Sequence, residues 1–410
     1  MSVFRVINRV FWVLLVACFS AGIMWLVIPG EAPPPLPILQ DKAGPHKAEM
    51  GVITAPRIGP RTYGTCTRVL SIDGGGVRGL VAALILAEIE RQTRRPIYEQ
   101  FDLIVGASTG SILAMGLTRP SNADAHRPAF SAEDLVQLYR DHSARIFPQS
   151  YAPLRYLRRL FRPKFSPQEV EGLYAAYFED VQLREALTNV AVPAYDIEDN
   201  RRHWFASSSH GTMLMRDLVR GATAAPTYFP PARLAVPTRV SPKGYVALVD
   251  GALFANNPSQ DALLLGQKLR EQTTILLLSI GTGHSVRKSN FEQAWGWGIL
   301  GWIDPLLEIA FSDPAVDELM SRTLLGKGDY FRLQVDLGAS PVEIDDSSAV
   351  ATQRLEASTA QFMQQNEKEI ASIVYELSLP RSPDCGLPRG ADYERPDGPR
   401  IRHDLAKTQL

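Results

Sequence analysis

Cysteine is scarce: Cys18, Cys66 and Cys385 are the only three in 410 residues. That excludes a disulfide scaffold and a cysteine-built metal centre; at most Cys66 and Cys385 can pair, which the sequence alone does not decide. Net charge is equally scant. The 43 Lys and Arg balance 44 Asp and Glu to a formal −1, so there is no global basic field and nothing to argue for nucleic acid. No cluster of His, Asp or Glu has metal-ligand spacing, and neither a metal nor another cofactor is expected. Histidine is also badly placed for catalysis. None of the seven stands in a glycine-framed turn at a strand end. His203 and His284, the latter just past Gly-Thr-Gly, come nearest to the setting of a general base.

What is present begins with an apolar run. "VFWVLLVACFSAGIMWLVI" (10–28) holds nineteen residues without a charge. As a helix it is roughly 28 Å long, about one hydrocarbon core. We read residues 1–30 as a signal anchor. A cleaved signal peptide, or a lipoprotein with lipid on Cys18 of "LVAC", are the alternatives. Arg5 and Arg9 precede the run, which favours a cytoplasmic amino terminus and a single-pass protein with the rest of the chain on the non-cytoplasmic side. Residues 31–66, rich in proline and glycine, read as a linker.

From residue 67 the pattern changes. "TRVLSI" (67–72) and "FDLIVG" (101–106) read as buried strands, each followed by a glycine-rich turn and a helix, at 79–95 and 111–117. "TTILLLSIGTG" (273–283) is a further strand without alternation. Runs apolar on both faces suit a parallel sheet covered by helices. Further helices are expected at 131–147, at 216 onward into a proline-rich turn, and over 349–377, where Leu355, Phe362, Ile370, Ile373 and Leu377 keep helical spacing. Past Pro380 the composition turns polar, and 380–410 is expected to be a disordered tail.

Three short stretches bear chemistry. "GASTG" (106–110) sets Ser108 between Gly106 and Gly110, after a strand and before a helix, the context of a nucleophile on a sharp turn. An ordinary serine cap on a tight turn is the competing reading. "DGGGVRG" (73–79) places Gly74, Gly76 and Gly79 as G-x-G-x-x-G. As a dinucleotide site it lacks the acid expected at the end of the next strand. Backbone N–H groups of Gly74, Gly75 and Gly76 would instead receive an anion, with Arg78 either adding charge at the rim or standing as a solvated first-turn arginine. "YVALVDGALFANNP" (245–258) delivers Asp250 to an Asp-Gly turn at a strand end, where Gly251 permits the turn. Alone, Asp250 reads better as an Asx-turn residue, common before glycine.

Taken in order, "SIDGGGVRG", "GASTG", "GATAAPTYFPP" and "DGALFANNP" resemble the patatin-like phospholipase family over about residues 67 to 335. The resemblance implies a three-layer α/β/α domain with a mostly parallel central sheet, spanning 67–345; the C-terminal helix read from its spacing, at 346–379, is expected to pack on that domain. It implies a Ser–Asp dyad without histidine: Ser108 as nucleophile, Asp250 as base, and Gly74, Gly75, Gly76 and Arg78 forming the oxyanion hole. Gly79, Gly106, Gly110 and Gly251 are the supporting glycines. The implied substrate is a phospholipid, lysophospholipid or other fatty-acyl ester presented at a membrane. Acyl transfer to another acceptor and a catalytically inactive membrane-anchored binding protein are the rivals. Trp295, Trp297 and Trp302, and the cationic stretch "RYLRRLFRPK" (155–164), fit either a lipid interface or ordinary core and surface positions.

Overall fold

The computed structural model describes residues 53–54, 63–148, 162–270, 274–284, 291, 294, 305–306, 329–338, 342–381 and 385. Packing divides the chain into two units, residues 1–47 with 288–306, and residues 48–287 with 307–410. The sheet, both of its cores and the site belong to the second. The expected anchor, most of the linker, the three tryptophans, residues 155–161 and most of the tail lie outside the described residues. Among the described residues no helix is long and apolar enough to cross a membrane.

One sheet organises the second unit. Its strands are β1 (Ile53–Thr54), β2 (Thr67–Ile72), β3 (Leu103–Gly106), β4 (Asn189–Asp196), β5 (Arg201–Ala206), β6 (Ala232–Ala235), β7 (Tyr245–Asp250), β8 (Ile275–Ile280) and β9 (Asp329–Leu333). The order is β1-β9-β8-β2-β3-β4-β7-β6, with β5 also on β4. The middle five strands, β9-β8-β2-β3-β4, are parallel. β1, β5, β6 and β7 join antiparallel. The expected parallel sheet is therefore the centre of a mixed one.

Every residue of β2 and β8 is buried, as strands covered on both faces must be. Side chains alternate between two cores. Leu70 and Ile72 face the larger one, which includes Leu80, Val81 and Leu86 of helix α1 (Gly79–Thr93). Val69 faces a smaller one with Ala262 and Leu263 of a helix at Ser259–Leu269. Together these make three layers.

On the larger side lie α1, a short helix α2 (Ile97–Gln100), α3 (Thr109–Gly116) and α4 (Ala132–Ile146). The Ser131 hydroxyl accepts from the Asp134 N–H, and Asp134 accepts from the Ser131 N–H. That capping box fixes where α4 begins. The expected single helix over 349–377 is two, Ala349–Gln365 and Glu367–Ser378. Asn366 breaks it at φ −113°, ψ 27°, where its amide side chain donates to the Phe362 carbonyl.

The chain beyond Pro380 starts with anchored residues. Cys385 is bonded to Cys66, with Cα atoms 5.3 Å apart. Arg381 pairs with Asp102 and donates to the Cys66 carbonyl. The tail reading therefore does not hold for residues 381 and 385, which are tied to the root of β2.

Candidate active site

Register explains how two distant residues come to face each other. β4 carries β5 along one edge from Ala191 to Asp196. Its other edge is shared. β3 occupies the first part, ending with Val105 opposite Ala191. β7 occupies the last part, antiparallel, with Asp250 opposite Ala194. The carboxyl ends of β3 and β7 thus point at each other, and Val192 and Pro193 span the junction. Gly251 is needed there, because a Cβ would lie 2.4 Å from the Pro193 carbonyl.

Ser108 sits at the turn that leaves β3. Its φ of 49° and ψ of −120° are costly for a residue with a side chain. The turn is closed by Gly110 N–H to the Ala107 carbonyl at 2.7 Å and Ala107 N–H to the Ile72 carbonyl at 3.1 Å. It is also tight: a Cβ on Gly106 would come within 2.0 Å of the Gly110 carbonyl oxygen. Ser108 therefore stands at the N-terminus of α3 and donates from Oγ to Asp250 Oδ2 at 2.6 Å.

Asp250 is fully buried. Its other oxygen, Oδ1, accepts from the Ala252 N–H at 2.8 Å. Burial pushes the carboxyl up to about 7, against the pull of these two donors. A carboxylate is otherwise a weak base for an alcohol; this one is poised near neutrality.

The glycine loop lies alongside. The Gly74 N–H donates to the Asn256 carbonyl at 3.0 Å, and the Thr282 hydroxyl to the Gly74 carbonyl at 2.6 Å. Gly76 has φ +57°, and the next N–H, of Val77, meets the Ile344 carbonyl at 2.8 Å. Among the described residues the N–H groups of Gly75 and Gly76 find no protein acceptor, and both residues border the same pocket as Ser108 and Asp250. Gly74 and Arg78 do not border it. Gly74 is engaged in holding the loop, while Arg78 closes the 3-10 turn Gly76–Arg78. Gly79 starts α1 beneath the loop.

That pocket encloses about 740 Å³ of empty space, part of it open to solvent. Its wall is mainly apolar, with Ile112, Leu138, Ile146, Phe147, Val170 and Phe229 among the lining side chains. Among the described residues no histidine lines it. His203 stacks on Phe205 within β5, and His284 pairs with the Asp336 backbone past β8. Burial lowers both from the usual imidazole range.

Two supports escaped the sequence reading. Arg332 makes a bidentate pair with Asp73 at 2.9 and 2.6 Å, both side chains being buried, and also donates to Ser279 at 2.9 Å. This pair fixes the residue from which the glycine loop departs. Nothing local in β9 marks Arg332 for that role. Asn256 and Thr282 brace Gly74, and both stand within stretches the sequence reading had singled out, "FANNP" and "GTG".

An α/β fold that sets a serine on a strained strand-to-helix turn against a buried carboxylate, with a glycine loop beside them, is the fold of the patatin-like lipid acyl hydrolases. Residues 70–263 match the family model described as patatin-like phospholipase. Patatin-like protein 1 of Arabidopsis thaliana is 32% identical over 285 residues, covering 61% of this chain and 68% of the relative. Patatin-like protein 2 of the same plant is 30% identical over 320 residues, covering 68% and 77%. A Solanum tuberosum relative named probable inactive patatin-3-Kuras 1 is 30% identical over 353 residues, covering 78% and 92%. Among solved structures, human GIVD cytosolic phospholipase A2 is similar at 12% identity and a TM-score of 0.43, covering 76% of this chain and 60% of that one. The chain belongs to the patatin-like phospholipase family.

Proposed function

We propose that this protein is a membrane-anchored serine acyl hydrolase that cleaves fatty-acyl esters of lipids through a Ser108 acyl-enzyme, with Asp250 as its base. The observation that carries the reading is the 2.6 Å hydrogen bond from Ser108 Oγ to the buried Asp250 carboxylate, in a pocket that no histidine among the described residues lines. Ser108 Oγ attacks the ester carbonyl carbon as its proton passes to Asp250. The Gly75 and Gly76 N–H groups receive the developing oxyanion; such donors are worth about 10² to 10³ in rate each. The C–O bond breaks, and the departing alcohol or lysolipid takes the proton from Asp250. Water then attacks the acyl-enzyme, giving its proton to Asp250, and the fatty acid leaves as Ser108 is reprotonated.

The apolar wall supports an acyl chain as the group that enters. Burial of Asp250 supplies the basicity a free aspartate lacks. Residues 1–30 form the single-pass anchor, and the catalytic domain lies on the non-cytoplasmic side. The Cys66–Cys385 bond supports that side, because disulfides persist in oxidising compartments.

The test uses the full chain in detergent with a short-chain p-nitrophenyl ester and a fluorophosphonate probe, beside Ser108→Ala. Turnover and labelling are expected in the wild type, with both lost in the variant. A folded wild type that does neither overturns the hydrolase reading. Alkaline extraction of membranes tests the anchor, and protease digestion of sealed vesicles tests its side.

A further inference from the structure

The third glycine of G-x-G-x-x-G has no part in the oxyanion loop, yet it cannot be replaced cheaply. A Cβ on Gly79 would lie 2.3 Å from the Tyr139 hydroxyl and 2.4 Å from Thr109 Oγ1. These two hydroxyls are hydrogen-bonded to each other directly over the Gly79 backbone. Tyr139 comes from α4, Thr109 is the residue after the nucleophile, and Gly79 opens α1 just past the glycine loop. One phenol therefore joins the three segments that frame the reacting atoms.

The bonding is closed on itself. The Thr109 hydroxyl and the Tyr139 hydroxyl share one hydrogen bond, and the Tyr139 O–H also points at the Thr109 carbonyl oxygen, 3.4 Å away. Both side chains are buried, Thr109 at 3% and Tyr139 at 6% exposed. A buried hydroxyl is costly unless paired, so the two are held together strongly. Burial also pushes the Tyr139 phenol far up. It stays neutral at working pH and acts by hydrogen bonding alone.

Ser108 needs such a hold. Its φ of 49° is unfavourable for an L residue, and strained backbone persists only where its surroundings over-determine it. Thr109 is its covalent neighbour and the first residue of α3, and α3 has no capping side chain at this end.

We propose that Tyr139 is a positioning residue for the nucleophile. Its hydroxyl, acting through Thr109, holds the Ser108 turn in its attacking geometry and locks that turn to the start of α1. The inference rests on the acyl hydrolase reading for Ser108. Tyr139 borders the pocket, but its hydroxyl is bonded to Thr109 and acts on the turn, not on the acyl chain.

Tyr139→Phe separates the two, since it keeps the ring and removes the hydroxyl. The full chain in detergent is assayed with the p-nitrophenyl ester and the fluorophosphonate. Tyr139→Phe is expected to lower kcat about tenfold, the weight of one hydrogen bond, with KM within about twofold. The labelling rate should fall in parallel. Thr109→Val should lose the same factor, and Tyr139→Phe/Thr109→Val no more than either alone, because both remove one interaction. Thr109→Ser, which keeps the hydroxyl, should recover most of the rate lost in Thr109→Val. Amide exchange across residues 106–111 should rise in Tyr139→Phe while the rest of the sheet keeps its protection.

A Tyr139→Phe enzyme with wild-type kcat overturns the inference. So does a loss confined to KM, which would make Tyr139 a wall of the pocket. Losses that multiply in the double variant overturn it as well. A wild type inert toward ester and probe overturns the hydrolase reading instead. The exchange measurement then still decides whether Tyr139 holds the turn, with unchanged protection at 106–111 counting against it.

Discussion

Ser108 and Asp250 meet because β3 and β7 run toward each other along one edge of β4, leaving only Val192 and Pro193 between them. The two residues are 142 positions apart in sequence, yet their contact is set by the register of a single strand. Their contact is therefore a property of the sheet.

Removing either partner should abolish turnover while leaving the sheet intact. Ser108→Ala and Asp250→Asn are each expected to lower kcat by about 10³-fold or more, as for nucleophile and base acting as a unit. Single-turnover assays with far-ultraviolet circular dichroism check this. Asp250→Asn with near-normal rate would require another base, and among the described residues no histidine lines the pocket.

The buried carboxyl sets the pH profile. Asp250 must be ionised to accept the serine proton, and burial holds it at about 7. With a neutral ester, kcat/KM should rise with pH through about 7 and level off above. A profile governed by a group near 4 would mean that the carboxylate is solvated in the working enzyme.

The same shift affects stability with the opposite preference. The folded carboxyl is raised from an ordinary 3.8 to about 7. Between those values the folded state holds a proton that the unfolded state has released, so stability is full below about 4 and is lost as pH rises through about 7. The difference is on the order of 4 kcal/mol. Asp250→Asn, neutral at every pH, should therefore melt above the wild type at pH 8 and near it at pH 4. Scanning calorimetry at the two values reads this directly.

What was legible in the sequence was what is local. Ser108, Gly106 and Gly110 lie within one turn whose sterics are written in adjacent residues, and the glycine loop likewise. Strands β2, β3 and β8 announced themselves because they are apolar on both faces. Of the antiparallel flank only β7 did, as the apolar run that delivers Asp250 to its turn. β6 alternates buried and exposed over four residues, too short a run to distinguish from a loop. The pairing of Asp73 with Arg332 spans 259 positions and that of Cys66 with Cys385 spans 319. No periodicity reports such contacts, since they follow from topology. The break at Asn366 was hidden because apolar spacing continues across it.

Asp73 and Arg332 make a sharper test of what supports the loop. Both are buried, and the pair is bidentate. Removing one partner takes a bidentate counter-charge from a buried ion, at a cost of about 3 to 5 kcal/mol. Asp73→Asn should therefore lower the urea midpoint strongly, and Asp73→Leu/Arg332→Leu less than the single change. If the single and double variants are equally unstable, the pair does not act as a unit.

Gly76→Ala addresses the oxyanion loop itself. Gly76 adopts φ +57°, and a Cβ there would come within 2.0 Å of the Ile344 carbonyl oxygen. That oxygen is fixed by the Val77 N–H at 2.8 Å, so it cannot retreat without breaking the turn. The backbone must move instead, and the Gly75 and Gly76 N–H groups move with it. Because such donors act mainly on the transition state, the loss should fall on kcat, by about 10² or more, with KM little changed. The Ser108–Asp250 contact lies on separate strands and should survive. A Gly76→Ala enzyme whose kcat is within a few-fold of wild type would mean that the oxyanion is received elsewhere. The N–H of Thr109, a residue at the start of α3 that borders the same pocket, has no acceptor among the described residues and would then be the donor to examine.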